Sequence, residues 1–164
     1  MRPTIKLLIV DDESRFLHAI AARLRLRGFE VITACSGAEA LELADRHTFH
    51  VALVDLKMPG LDGGQVLQAL KQRQPFVEAI ILTGHGVLES AVEMSKVGAF
   101  ACLPKPYELD LLLLTLKQAY VVRLKRRFAA HPEIVERVDA IACDDNVIDV
   151  LARLRELEDG SAGS

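Results

Sequence analysis

Val51-Ala52-Leu53-Val54-Asp55, four apolar residues and then a carboxylate, decides how this chain is read. The pattern recurs on both sides of it. Ile5-Lys6-Leu7-Leu8-Ile9-Val10 ends in Asp11-Asp12, Ala79-Ile80-Ile81-Leu82 ends in Thr83, and Phe100-Ala101-Cys102-Leu103 runs into Pro104-Lys105-Pro106. Short apolar runs bounded by polar residues read as strands buried on both faces, as in a parallel sheet. Phe29 to Ala34 supplies a fifth. Between the runs lie segments of helical period: Glu13 to Arg27 (apolar Phe16, Leu17, Ile20, Leu24), Ala38 to Arg46, Gly63 to Arg73 and Leu88 to Val97. This alternation predicts an α/β, doubly wound sheet. Gly28 and Gly98 follow helical segments at positions where a left-handed residue closes a helix.

Open parallel sheets bind ligands beyond the carboxyl ends of their strands. Asp11, Asp12, Asp55, Thr83 and Lys105 would therefore meet at one rim. An isolated aspartate at a strand end is usually a turn former or a helix cap, and a lone threonine or lysine is usually solvated. It is the joint occurrence that points to chemistry. Clustered carboxylates offer the hard oxygens that Mg²⁺ prefers, and an ammonium beside them suits a phosphoryl group.

The 164 residues suffice for one well-packed domain plus an appendage. Twenty Lys and Arg stand against 23 Asp and Glu, a net charge of -3 that gives no overall footprint for nucleic acid. Residues 1 to 106 carry 12 charges of each sign, so the acidic excess, 11 against 8, lies in residues 107 to 164. Cys35, Cys102 and Cys143 have no metal-ligand spacing, and no apolar leader follows Arg2, so a reducing, cytoplasmic location is expected. The purely apolar stretches fall far short of the roughly 20 residues needed to span a bilayer.

From Glu108 to Phe128 the pattern is helical and rich in leucine. Leu109, Leu112, Leu113 and Leu116 form one stripe that should cover the sheet, and Leu114, Val121, Leu124 and Phe128 form another. His131-Pro132 breaks the helix. Ile134, Val138 and Ile141 mark a short amphipathic helix; Val147, Val150, Leu151, Leu154 and Leu157 mark another, entered through Asp144-Asp145. Gly160 to Ser164 reads as a flexible end. The expected division is a main domain over residues 1–120 and a helical extension over 121–164. The extension should pack on the second stripe, within one chain or across a homodimer, with dimerisation favoured, or should receive a partner protein.

Asp11-Asp12, Asp55, Thr83, Lys105-Pro106 and the loop Met58-Pro59-Gly60-Leu61-Asp62-Gly63, in this order, resemble the receiver domain of two-component response regulators over about residues 4 to 120. The resemblance implies a five-stranded parallel sheet in the flavodoxin-like order 2-1-3-4-5. It implies that Asp55 accepts a phosphoryl group from a histidine kinase or phosphotransfer protein. Asp12 and Asp55 would ligate Mg²⁺ directly, beside the backbone carbonyl of Lys57, with Asp11 helping through water. Thr83 and Lys105 would hold phosphoryl oxygens. Such a chain takes part in its own phosphotransfer and slow dephosphorylation without being a conventional enzyme. The resemblance also implies a cis Lys105-Pro106 bond, where base rates alone favour trans.

Receivers usually carry an aromatic switch residue three positions before the lysine; this chain has Cys102 there, a small thiol that cannot swing a ring. Lys57 and His85 stand two residues past Asp55 and Thr83, beside the path of attacking water, and are candidates for tuning the lifetime of the acyl phosphate. Two rival functions draw on some of the same residues. A transcriptional regulator with a short DNA-binding output would use the basic cluster Lys117, Arg123, Lys125, Arg126 and Arg127, but such a cluster more often caps a helix dipole or faces solvent. The segment beyond the cluster is acidic and lacks a basic recognition helix. An Asp-dependent phosphohydrolase usually has a second acid two residues past its nucleophile, where this chain has Lys57.

Overall fold

The computed structural model describes residues 4–84, 96, 98–105 and 107–162. Five strands, β1 (Lys6–Val10), β2 (Glu30–Ala34), β3 (Val51–Asp55), β4 (Glu78–Thr83) and β5 (Ala101–Pro104), form one sheet in the order β2-β1-β3-β4-β5. Every pairing is parallel, so all five carboxyl ends lie along one edge. The expected order 2-1-3-4-5 is the one observed.

Strand geometry sends alternate side chains to opposite faces. Leu7, Ile9, Val51, Leu53, Ile80 and Leu82 enter one core, and Leu8, Val10, Ala52, Val54 and Ile81 enter the other. The second core is closed by α2 (Gly37–Arg46) and α3 (Gly63–Arg73), through Ala40, Ala44, Val66 and Leu70. The first is closed by α1 (Ser14–Leu26) and the long helix α4 (Leu109–Arg127), through Leu17, Ile20, Leu24, Leu112, Leu116 and Tyr120. Gly28, which follows α1, has the positive φ of 93° expected of it. The helix expected from Leu88 to Val97 lies almost wholly outside the described residues, as do His85 and Pro106.

After α4 the chain turns at His131 and continues as α5 (Pro132–Ala142) and α6 (Val147–Ala162). Proline fits the first turn of α5, where its missing N–H would have no helical partner. The Asn146 side chain accepts from the Asp149 N–H and starts α6, one residue beyond the expected Asp144-Asp145 entry. Val138, Val150, Leu151, Leu154 and Leu157 are buried in the same core as the inner face of the sheet. Each fully buried side chain contributes about 1.5 to 3 kcal/mol, before entropy, to holding the two helices on the domain.

Three expectations are corrected. Leu114 does not belong to a buried stripe: it is 38% exposed, while Leu124 and Phe128, expected beside it, are buried and Tyr120 joins them. Gly160 to Ala162 are helical, continuing α6 beyond the expected end. Arg123, expected at a solvated or dipole-capping position, is buried. The rest of the stripe that was to support a dimer is covered within one chain.

Candidate functional site

The carboxyl edge of the sheet gathers the residues that the strand ends predicted. Asp11 follows β1 and is fully buried, with one carboxylate oxygen accepting the Glu13 N–H at 2.9 Å and the other accepting the Lys105 ammonium at 2.7 Å. Asp55 ends β3, 3.8 Å from the same ammonium. Asp12 is exposed, and carboxylate oxygens of Asp11, Asp12 and Asp55 all lie within 4.8 Å of one another. Asp12, Asp55, Lys57, Thr83 and Lys105 line one cavity of about 220 Å³. Thr83 is itself almost fully buried at the end of β4.

Backbone contacts fix this edge. The Lys105 N–H donates to the Thr83 carbonyl at 2.7 Å, and the Leu56 N–H to the Leu82 carbonyl at 3.0 Å. Asp62 caps α3, its side chain accepting the Gln65 N–H at 2.9 Å while the Gln65 side chain accepts the Asp62 N–H at 3.0 Å. That reciprocal cap ends the loop containing Lys57. The loop crosses so close to the strand that a Cβ on Gly63 would lie 2.6 Å from the Asp55 carbonyl oxygen, so glycine is required there.

Burial pushes the Asp55 carboxyl up to about 6, and neighbouring Asp11 and Asp12 push the same way. Lys105 and a hydrogen bond from the Lys57 backbone oppose the shift without cancelling it. Among the described residues three carboxylates thus gather beside the Lys105 ammonium, an acidic cluster of the kind a divalent cation neutralises.

A family model, the response regulator receiver domain, matches residues 7–117. The chain belongs to this receiver family. Relatives agree with that assignment. The receiver is 36% identical over 125 residues to a putative NtrX-like response regulator of Rickettsia typhi, a match spanning 74% of this chain and 26% of that protein. It is 40% identical over 102 residues to the DNA-binding transcriptional regulator NtrC of Escherichia coli, covering 62% of this chain and 22% of NtrC. The chain therefore spans about a quarter of the length of these curated relatives. A receiver domain from Clostridium thermocellum superimposes with a TM-score of 0.67 at 38% identity, over 71% of this chain and 94% of that one. NtrX from Brucella abortus gives 0.73 at 25% identity, over 84% of this chain and 33% of that one. The match places the chain among the receivers of two-component signalling, and neither rival function is favoured by it.

Of the remaining receiver residues singled out in the sequence, Lys57 is exposed at the cavity and His85 lies outside the described residues. Cys102 is half-buried, and burial raises its thiol pKa, the behaviour of a packing residue. Sequence reasoning missed a second polar cluster at the opposite end of the sheet. Glu158 on α6 is fully buried and accepts from the Tyr120 hydroxyl, from Arg127, and from Arg123 at 3.0 and 3.1 Å. Arg123 also donates to the Phe76 carbonyl at 2.9 Å, and Arg126 to the Pro75 carbonyl at 2.8 Å. Most of the basic cluster is thus engaged with the protein's own tail and loops. Its visible signal was charge on an apolar face: Arg123 lies between Tyr120 and Leu124, and Glu158 follows Leu157.

Proposed function

We propose that this receiver is phosphorylated on Asp55 and acts as a phosphorylation-dependent signalling switch. The reading rests on one observation: Asp11, Asp12, Asp55, Thr83 and Lys105 converge at the carboxyl edge of a parallel sheet, with three carboxylates within 4.8 Å. Receiver domains interact with histidine kinases, so a phosphohistidine on such a kinase or on a phosphotransfer protein is the donor. An Asp55 carboxylate oxygen attacks phosphorus, the phosphorus–nitrogen bond breaks, the imidazole leaves with the bonding electrons, and an acyl phosphate forms. Such transfers need positioning and charge stabilisation more than covalent chemistry from the protein.

The donor set fits Mg²⁺: Asp12 and Asp55 would hold it directly, with the Lys57 carbonyl and, through water, Asp11. When bound it supplies positive charge that offsets repulsion between the acids and the phosphoryl group. Lys105 meets a phosphoryl oxygen with its ammonium, and Thr83 donates its hydroxyl to another. Lys57, at the cavity, and His85, two residues past Thr83 in sequence, are the candidates for setting how fast the acyl phosphate is lost. The chain is then a phosphoacceptor and not a conventional enzyme.

No described helix is long and apolar enough to cross a membrane, and a cytoplasmic location follows from the two-component partners. Residues 121–164 serve as a helical extension of the 1–120 receiver. The interior packing of their apolar face favours a cover on their own chain over a homodimer or partner contact through that face.

Incubation with acetyl phosphate and Mg²⁺ should add one phosphoryl group by mass, and Asp55→Asn should abolish the addition. Undiminished labelling of Asp55→Asn would defeat the assignment.

A further inference from the structure

We propose that Phe16 is a positioning residue for Lys105, its ring face holding the ammonium between Asp11 and Asp55. The inference rests on the proposed roles of Asp55 and Lys105. Lysine carries a compact charge on a flexible four-carbon stem, so an ammonium that must meet a phosphoryl group has to be held in place. Among the described residues, three groups stand beside it. Asp11 accepts from it at 2.7 Å, Asp55 stands 3.8 Å away, and the centroid of the Phe16 ring lies at 4.2 Å.

The chemistry of the third neighbour matters. An aromatic face attracts a cation through its quadrupole. It brings no net charge and does not satisfy the ammonium's N–H donors as a carboxylate would. A third carboxylate in that place would neutralise Lys105 further and compete with a phosphoryl oxygen. The ring instead leaves the ammonium free to turn from Asp11 toward Asp55 while still supported from behind.

Phe16 reaches this position because it sits in the first turn of α1, which begins shortly after the Asp11-Asp12 doublet. Its ring is set by Tyr107, edge-on at 6.0 Å and 89°. Tyr107 follows Lys105 by two residues, so the ring and the ammonium are located from the same short segment. The Tyr107 hydroxyl oxygen is buried with no hydrogen-bond partner among the described residues, so what Tyr107 contributes to this arrangement is its ring. The ordinary reading of a half-buried phenylalanine on α1 is packing alone. Placement of the ring over the ammonium distinguishes it from its neighbours on the helix.

The test uses the full chain with Phe16→Leu, which keeps apolar bulk, and Phe16→Tyr, which keeps the ring. In the parent, the Lys105 ε-methylene protons should show an upfield ring-current shift by NMR; Phe16→Leu should lose it and Phe16→Tyr retain it. Labelling by acetyl phosphate and Mg²⁺ should slow by at least about two- to fivefold in Phe16→Leu, the range of an exposed cation–π contact, and return in Phe16→Tyr. In a Lys105→Ala background, Phe16→Leu should cause no further slowing. An unshifted Lys105 signal in the parent, an unchanged rate in Phe16→Leu, or equal slowing without Lys105 would overturn the proposal. Labelling that survives Asp55→Asn would instead defeat the reading of Asp55, and the ring-current measurement would still decide the contact.

Discussion

Replacing Glu158 by alanine should destabilise the folded chain by roughly 3 to 5 kcal/mol, the range for breaking a buried ion pair and leaving one charge behind. The charge left behind is Arg123, whose side chain is only 7% exposed. Its remaining hydrogen bond to the Phe76 carbonyl does not replace a counter-charge. The Tyr120 hydroxyl, wholly inside the same core, loses its acceptor as well. A second route gives a similar size. Burial alone would raise the Glu158 carboxyl, but Arg123, Tyr120 and Arg127 outweigh it and bring the pKa from 4.5 down to about 2. At about 1.4 kcal/mol per pKa unit, that fall corresponds to about 3 kcal/mol. Because the folded-state pKa is depressed, this contribution is fully present above about pH 4.5 and is lost as the pH falls toward 2. Urea unfolding of the parent, Glu158→Ala and Glu158→Gln at pH 7 measures the loss directly. Repeating it at lower pH should show the parent weakening more steeply than Glu158→Gln. A double variant, Arg123→Met with Glu158→Leu, should recover much of the stability, since two apolar residues leave no charge stranded. A loss below about 1 kcal/mol in Glu158→Ala, the range of an exposed pair, would refute the reasoning.

The raised Asp55 pKa, about 6, makes its charge a cost to the fold above that pH, relieved as the pH falls. Without Mg²⁺, Asp55→Asn should therefore melt above the parent at pH 8, with the gap closing by pH 4; equal melting at both would contradict it. For the same reason Mg²⁺ affinity should fall below about pH 6, and calorimetry in buffers of different ionisation enthalpy should detect a released proton. Gly63→Ala would press a Cβ against the Asp55 carbonyl and the Leu56 Cα, so it should lower both the urea midpoint and Mg²⁺ affinity, and an unchanged titration would show that the loop adjusts. Lys57→Ala and His85→Ala should change the dephosphorylation rate, and parental rates in both would rule out that role.

The strand ends were legible because parallel strands buried on both faces leave unbroken apolar runs, and the change from Val54 to Asp55 or from Leu82 to Thr83 is abrupt. One sheet edge then collects every such change without knowledge of side-chain contacts. The leucine run 111–114 was harder: consecutive residues on a helix point in several directions, and hydrophobicity alone does not say that Leu111 and Leu114 face outward. The Glu158 cluster was harder still, because charge is normally read as surface. A residue by itself offers no sign that its partner lies 35 positions away on a facing helix. The Phe16 contact escaped for a related reason, since its apolar character already fitted a helix packed on a sheet.

The attachment of α6 has a consequence for the order of events on the ribosome. Tyr120 and Arg123 are translated 38 and 35 residues before Glu158, and Arg155 bonds the carbonyl of Thr4, 151 positions earlier. A sheet that assembled before α6 would leave Arg123 without its counter-charge and Tyr120 without its acceptor, on a face that α6 does not yet cover. In any such intermediate this end of the core is open and charged until the segment around Glu158 packs on it. Pausing before that segment prolongs the interval in which the chain is exposed to misassembly.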